Sequence, residues 1–408
     1  MDFIGVMKER QMMAQVTHED ELIDHLSEAP RTAYAGFDPT ADSLHVGHLL
    51  PVLGLRRWQQ AGHRAIALCG GGTGLIGDPT GRTELRKVLD EDRINQNIEA
   101  FKKQLGRFLD FSSPEKGLLL NNAEWLKPLS YLPFLREVGP HFSVNRMLGA
   151  ECFKQRLEKG LSFLEFNYMI FQSYDFYQLY LDHNCTVQIG GDDQWSNMLG
   201  GMELIRRKER GQAFCFTMPL LATSSGKKMG KTEGGAIWLD ADKTSPFDLF
   251  QYFRNLEDDI IETCLYYFSD LAVSDIKDLL SPGKNINEAK IVLAFEACKL
   301  IHGDEEASKS RDLAAKLFDK SSQGEDAPVV ELDGDQFSEG ASLLDILAAA
   351  KIIPTKSEGR RLMQQGGLQV DGEKANDPKA LADLARFSGE NGVLVKKGKK
   401  GFYRLRLK

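Results

Sequence analysis

The sequence predicts an α/β protein in three parts: a parallel-sheet domain, a helical domain, and a small α+β domain at the end of the chain. Three observations carry that prediction. A strand, a glycine turn and a helical pattern follow one another repeatedly over residues 1–244, the arrangement of a parallel α/β sheet. Helical periodicity takes over across 245–318. An acidic, Ser- and Gly-rich stretch at 319–340 then separates this body from a basic tail at 341–408. A chain of 408 residues is too long for one core, so several domains are expected.

In chain order, a helix is expected from about Val46 to Ala61, stopped by Gly62, a common position for the residue after a helix. The apolar run Ala65–Cys69 empties into the glycine cluster of "GGGTGLIGDPTG". "TVQIGGDDQWSNMLGGMELIRRK" repeats the design further on. Ligands in such sheets sit at the C-terminal ends of strands, which makes the glycine turns the places to look for a site. The helical part holds "SPFDLFQYFRNLEDD", where Ser245 and Pro246 suit the N-cap and first helical position, and "INEAKIVLAFEACKLIHG". The stretch 319–340 reads as a mobile linker.

Composition is globular, with 42% hydrophobic and 27% charged residues, and no apolar run of about 18 residues indicates a membrane span. The start "MDFIGVMKERQMM" lacks the pattern of a secretory signal. Six widely spaced cysteines form no CxxC pair and are expected as buried free thiols in a reducing cytoplasm, with a zinc site as the remote alternative. The net charge of −8 hides an asymmetry: residues 351–408 hold 14 Lys and Arg against 6 Asp and Glu, the rest of the chain 37 against 53. A basic module on an acidic body is a footprint for a polyanion, or else an ordinary solvated surface.

Two short motifs carry chemistry. In "YAGFDPTADSLHVGHLL", His45 and His48 fall at the positive end of the expected helix, beside its unpaired N–H groups, where anions bind. Gly47 leaves bare backbone for a flat base. Metal binding by the pair lacks a third ligand nearby, and two structural histidines are the plain alternative. In "SSGKKMGKTEGG", residues 224–235, Lys227, Lys228 and Lys231 sit among glycines and serines: either an exposed basic turn or a mobile loop that clamps a pyrophosphate.

His45-Val46-Gly47-His48 resembles the HIGH signature of class I aminoacyl-tRNA synthetases, and Lys228-Met229-Gly230-Lys231-Thr232 their KMSKS signature, with Gly and Thr for the two serines. "GGTGLIGDPTGR", "NYMIFQSYDFYQLY" and "IGGDDQWSN" extend the resemblance to the bacterial tyrosine-specific members over essentially the whole chain. It implies a Rossmann-type catalytic domain, ATP and L-tyrosine as substrates, tRNA(Tyr) as acceptor, Mg²⁺ arriving with ATP rather than held by protein, no metal site, a homodimer, and no membrane. It also implies roles. Tyr34 and Asp175 match the phenol-binding pair; Asp78, Tyr168, Gln172, Gln188 and Gln194 the remaining tyrosine contacts. Gly36, Asp38, Gly47, Gly191 and Asp193 match the ATP site, with Asp193 on the ribose. Thr40, His45, His48, Lys228, Lys231 and Thr232 match the phosphate contacts, supported by Arg82 and Arg86. Spacing alone places Tyr168 and Gln172 on one helix face, which Asp175 extends. The tail "SEGRRLMQQGGLQVDGEKANDP" resembles a ribosomal-protein-S-four-type RNA-binding domain with Arg360 and Arg361 toward tRNA. Three departures stand out: Asp192 where serine is frequent, Ala35 where a small polar residue reaches the ribose, and Arg82 for a lysine. The rival readings are a tryptophan-specific synthetase, a nucleotidyltransferase sharing the HxGH chemistry, and a non-catalytic RNA-binding paralogue.

Overall fold

The structure, a computed structural model, describes all residues except 1, 81–89, 159, 222–228, 233–234, 319–326, 335–336, 338–340, 379, 390–391 and 399–400, and leaves out the side chains of 151, 154–155, 231–232 and 317–318. Residues 1–304 form one compact unit and residues 305–408 a second.

The first unit is built on a six-stranded sheet: β1 (Gln15–Val16), β2 (Thr32–Phe37), β3 (Arg64–Cys69), β4 (Gly117–Asn121), β5 (Cys185–Gly191) and β6 (Phe214–Met218), in spatial order β1-β6-β5-β2-β3-β4. All neighbours are parallel except β1, which runs antiparallel to β6. The chain lays down β2, β3 and β4 in one direction, then returns to the other side of β2 for β5 and β6. Strand order therefore reverses between β2 and β5, and a crevice opens beyond their C-terminal ends. β2, β3 and β6 are buried almost throughout, as expected for parallel strands covered on both faces.

The expected Val46–Ala61 helix is a single 3₁₀ turn, Val46–His48, followed by an α-helix, Leu49–Gln60; Gly62 then takes φ +91°. The Phe163–His183 helix packs one sheet face together with the Trp195–Glu209 helix, enclosing Tyr34, Ile66, Phe176, Met198 and Cys215. Glu165, in its first turn, is fastened from outside the helix. Arg156 donates to both carboxylate oxygens, at 2.9 and 3.1 Å, and Ser162 completes a capping box. Both charged side chains are buried. Burial alone would raise the Glu165 carboxyl, but the Arg156 and Ser162 hydrogen bonds outweigh it and hold the group below its ordinary range.

The helices between Thr244 and Gly303 belong to the same compact unit, while the Asp304–Phe318 helix, expected with them in a 245–318 domain, falls in the second unit. Ser245 caps Pro246–Arg254 by accepting from Asp248 N–H, as its sequence suggested. Arg10 donates to the carbonyls of Tyr266 and Ser269 at 3.0 and 3.1 Å, Arg57 to that of Ser269 at 3.2 Å, and Arg56 forms a two-pronged pair with Asp270. Guanidinium groups thus tie this helical segment to the sheet unit. All six cysteines are free and buried. Among the described residues no helix is long and apolar enough to cross a membrane.

The second unit corrects the linker reading. Residues 329–332, placed in a mobile linker by their acidic, small-residue surroundings, form β9 (Val329–Leu332), parallel to β13. Two β-branched valines and an alternating pattern suffice once a partner edge is available. β9 joins β10 (Leu368–Val370), β11 (Glu373–Lys374), β12 (Val393–Lys397) and β13 (Gly401–Leu407) in the order β11-β10-β12-β13-β9. The helices Leu343–Ala349 and Lys356–Gln364 cover this sheet, meeting at Gly359, where a Cβ would stand 2.5 Å from Leu344. Arg360 and Arg361 follow on the exposed side.

The buried pair at the start of the Phe163–His183 helix gives the first expectation. Glu165→Gln leaves the Arg156 guanidinium buried without its counter-charge and should cost about 3–5 kcal/mol. A clear fall in the unfolding midpoint at neutral pH is expected, and the deficit should fade only in acid below the ordinary glutamate range, where the wild-type carboxylate is also lost. An unchanged midpoint would show that the pair does not anchor the helix.

Candidate active site

A cavity of ≈ 630 Å³ occupies the crevice between the ends of β2 and β5. Of the residues that sequence reasoning singled out, it brings together Tyr34, Gly36, Asp38, Thr40, His45, Gly47, His48, Asp78, Tyr168, Gln172, Asp175, Gln188, Gly191, Asp193 and Gln194. Arg82, Arg86 and Lys228 lie outside the described residues. Lys231 and Thr232 form the backbone of a short strand, β7 (Lys231–Thr232), paired with β8 (Gly235–Ala236); their side chains are not described.

The floor is one hydrogen-bond network around a buried carboxylate. Asp175 Oδ2 accepts from Asn122 Nδ2 at 2.8 Å and Oδ1 from Trp125 Nε1 at 2.7 Å. Burial pushes its pKa up to about 7, against the pull of those two donors, and Asp38 pushes it the same way as burial. Asn122 also reaches Thr73 Oγ1 at 3.0 Å and accepts Gly72 N–H at 2.7 Å; Thr73 donates to Asp38 Oδ1 at 2.8 Å, and Tyr168 donates to Asp38 Oδ2 at 2.9 Å. Asp38 fills the space where a Cβ on Gly70 would stand, 2.1 Å away, which is why the turn after β3 carries glycine there.

Three buried polar atoms on residues that line this cavity have no hydrogen-bond partner among the described residues: Tyr34 Oη, Gln172 Oε1 and Gln188 Oε1. Such atoms are costly unless a ligand satisfies them. Burial, then the nearby Asp175, holds the Tyr34 phenol well above its ordinary pKa, so it remains a hydroxyl. Each Asp175 oxygen has a second lone pair for a further donor. Higher in the cavity Gln194 Nε2 donates to Asp78 Oδ2 at 2.9 Å. A Cβ on Gly36 would meet nothing within 4 Å, so bare backbone is open to a ligand there.

His45 and His48 also line the cavity and stack with ring centres 3.9 Å apart. His45 Nδ1 accepts Gly47 N–H at 3.0 Å, and His48 Nδ1 accepts His45 N–H at 3.1 Å. With Nδ1 an acceptor in both neutral rings, the ring proton belongs on Nε2, which makes that atom a donor. Gly47 has a local reason as well: a Cβ would stand 2.8 Å from the His45 ring.

Asp192 does not line the cavity. It accepts from Gln15 Nε2 at 2.7 Å and Thr217 Oγ1 at 2.8 Å, so its charge joins β5 to β1 and β6. Ala35 is buried within β2 and does not line the cavity either. Sequence reasoning missed Asn122, Trp125 and Thr73. The available signal was "NNAEW", amides and an indole directly after the apolar run of β4, at the C-terminal end of a parallel strand.

The family model described as tRNA synthetases class I (W and Y) matches residues 26–319, and that of the Tyrosine--tRNA ligase SYY-like C-terminal domain matches residues 320–405. The chain is 51% identical to a tyrosine--tRNA ligase of Clostridium kluyveri over 99% of its length and 98% of the relative's. It is 51% identical to that of Caldanaerobacter subterraneus subsp. tengcongensis over 100% of both. Among solved structures it resembles a C-terminally truncated mitochondrial tyrosyl-tRNA synthetase of Aspergillus nidulans, at 31% identity and a TM-score of 0.69, over 78% of this chain and 94% of that one. By fold and by full-length similarity, the chain belongs to the tyrosine--tRNA ligase family of class I tRNA synthetases.

Proposed function

We propose that the cavity holds L-tyrosine with its phenol between Tyr34 and Asp175 and ATP with its phosphates over His45 and His48, so that the enzyme forms tyrosyl-adenylate before charging tRNA(Tyr). The reaction class is that of an ATP-dependent tyrosine–tRNA ligase. The observation that carries the residue assignments is the set of orphaned atoms, Tyr34 Oη, Gln172 Oε1 and Gln188 Oε1, on residues that line the same cavity as the buried Asp175. A site built to pair with a hydroxyl rejects the analogue lacking it, because its own polar groups are then left unpaired; for tyrosine against phenylalanine in this enzyme class the rejection reaches about 10⁵-fold.

The substrate's phenol donates to Asp175, and the Tyr34 hydroxyl completes the pair. The ammonium is met by acceptors on Asp78, Tyr168 and Gln172, with Gln188 beside them and Gln194 toward the carboxylate. Asp193 takes the ribose hydroxyls; Gly36, Asp38, Gly47 and Gly191 let the nucleotide lie close to backbone. The tyrosine carboxylate attacks the α-phosphorus, forming a C–O–P linkage as the bond to pyrophosphate breaks. The nucleophile is already ionised, so no general base is required, and catalysis is positioning plus charge stabilisation. Nε2–H of His45 and His48, the Thr40 hydroxyl, Lys228, Lys231 and Thr232, with Arg82 and Arg86, neutralise the phosphates as charge builds. A terminal ribose hydroxyl of tRNA then attacks the adenylate carbonyl and AMP leaves. Mg²⁺ enters with the ATP phosphates.

The second unit, with exposed Arg360 and Arg361, is read as the tRNA-binding module, and six buried free thiols suit a reducing cytoplasm. A homodimer is supported by the large apolar side chains left exposed between 131 and 164, including Tyr131, Leu132, Val144, Phe163 and Leu164.

Two measurements test this reading. Tyr34→Phe removes one neutral hydrogen bond, typically about 0.5–1.5 kcal/mol. In pyrophosphate exchange, kcat/KM for tyrosine should fall only about 2- to 10-fold, and phenylalanine should gain relative to tyrosine, since one fewer polar group stays unpaired when it binds. An unchanged ratio would take the Tyr34 hydroxyl away from the phenol. Arg360→Ala with Arg361→Ala should raise KM for tRNA and flatten its salt dependence while leaving pyrophosphate exchange intact. Wild-type charging at all salt concentrations would remove these arginines from the tRNA interface.

A further inference from the structure

Gly230, within the second signature motif, is held on both sides. Its N–H donates to the Tyr252 hydroxyl oxygen at 2.9 Å. Its carbonyl accepts Ile237 N–H at 2.8 Å, and the Ile237 carbonyl accepts Val46 N–H at 2.9 Å. Leu239 N–H donates to the Leu44 carbonyl at 2.8 Å, so His45 and Trp238 face one another across an antiparallel bridge. A line of hydrogen bonds therefore runs from Tyr252 through Gly230 and Ile237 to Val46, one residue from His45.

The fit at Gly230 is close. Its φ of +80° suits glycine, and a Cβ there would stand 3.1 Å from Gly47 N and 3.2 Å from Val46 Cβ. The backbone of the second motif rests directly on the first. Tyr252 reaches this point from the Pro246–Arg254 helix, with its ring edge-on to Phe253 at 5.3 Å between centres. Burial raises its phenol pKa, so the oxygen meets the Gly230 N–H as a neutral hydroxyl.

We propose that Tyr252 is a positioning residue for activation: by accepting the Gly230 N–H, its hydroxyl fixes where Lys231 and Thr232 leave the protein body relative to His45 and His48. The inference rests on the reading of Lys231 as a cation that stabilises charge on the phosphates. It gives the helical segment after Thr244 a part in the chemistry without a contact to substrate. A buried N–H deprived of its acceptor is costly, so loss of the hydroxyl favours arrangements in which this segment has left the His45 turn.

The test is Tyr252→Phe in the full chain, which keeps the ring and its contact with Phe253. The rate of tyrosyl-adenylate formation at saturating tyrosine and ATP should fall roughly tenfold, as loss of one such hydrogen bond implies. Tyrosine affinity by equilibrium binding should stay at the wild-type value, and the unfolding midpoint should fall by no more than the loss of one hydrogen bond implies. In a Lys231→Ala background, itself slowed by more than the single Tyr252 change, adding Tyr252→Phe should slow the reaction no further, because the hydroxyl acts through that segment. A wild-type rate in Tyr252→Phe overturns the proposal, as does weakened tyrosine binding or an undiminished tenfold loss in the double variant. A normal rate in Lys231→Ala alone overturns the reading of the lysine itself, and the role of Tyr252 with it.

Discussion

The buried carboxylate of Asp175 is the constraint on which the rest of the site depends. A charge taken out of water is unfavourable unless hydrogen bonds replace its hydration. Asn122 and Trp125 supply two of these, and Asp38 opposes them. Asn122 is fixed in turn by Gly72 N–H and reaches Thr73, which donates to Asp38. The glycine turn after β3, the amide after β4, the carboxylate after β2 and the Phe163–His183 helix are thereby set against one another. No member can be altered without leaving another buried group short of a partner, and this gives this part of the cavity its fixed shape.

Sheet topology supplies the other half. Reversal of strand order between β2 and β5 opens the crevice, and the 3₁₀ turn Val46–His48 brings two imidazoles to its rim with their Nδ1 atoms already engaged by backbone. Imidazole donors and a buried carboxylate thus line one cavity, a combination that suits a substrate pair carrying phosphates and a phenol. The two signature motifs, far apart in sequence, meet as backbone: Leu44–Val46 pairs with Ile237–Leu239, and Gly230 sits on Gly47.

Much of this was legible in the sequence because it is local. Strand, glycine turn and helix declare a parallel sheet, and helical spacing puts Tyr168, Gln172 and Asp175 on one wall, where the cavity has them. What escaped is long-range. Asn122 and Trp125 belong to no periodic pattern and acquire meaning only when β4 lies beside β3 and under the long helix. β9 looked like linker because its partner edge, β13, is some seventy residues away. Asp192 stood out in the sequence only as a departure where serine is frequent; Gln15 and Thr217, distant in sequence, account for its charge. Tyr252 gave no signal either, being one aromatic in an amphipathic helix whose hydroxyl matters only through the fold.

The central claim is that the ionised Asp175 reads the substrate's phenol. It is tested most directly by kcat/KM for tyrosine and for phenylalanine, measured side by side in pyrophosphate exchange from pH 5.5 to pH 8.5, on the order of one and a half units either side of the Asp175 value. Because burial raises that value to about 7, the carboxylate is ionised above it and protonated below. The ratio of tyrosine to phenylalanine should be at its plateau in the alkaline range and fall as pH drops through about 7, since a neutral carboxyl accepts the phenol proton poorly and leaves no unpaired charge when phenylalanine binds. A ratio that stays flat across the whole range would contradict the account.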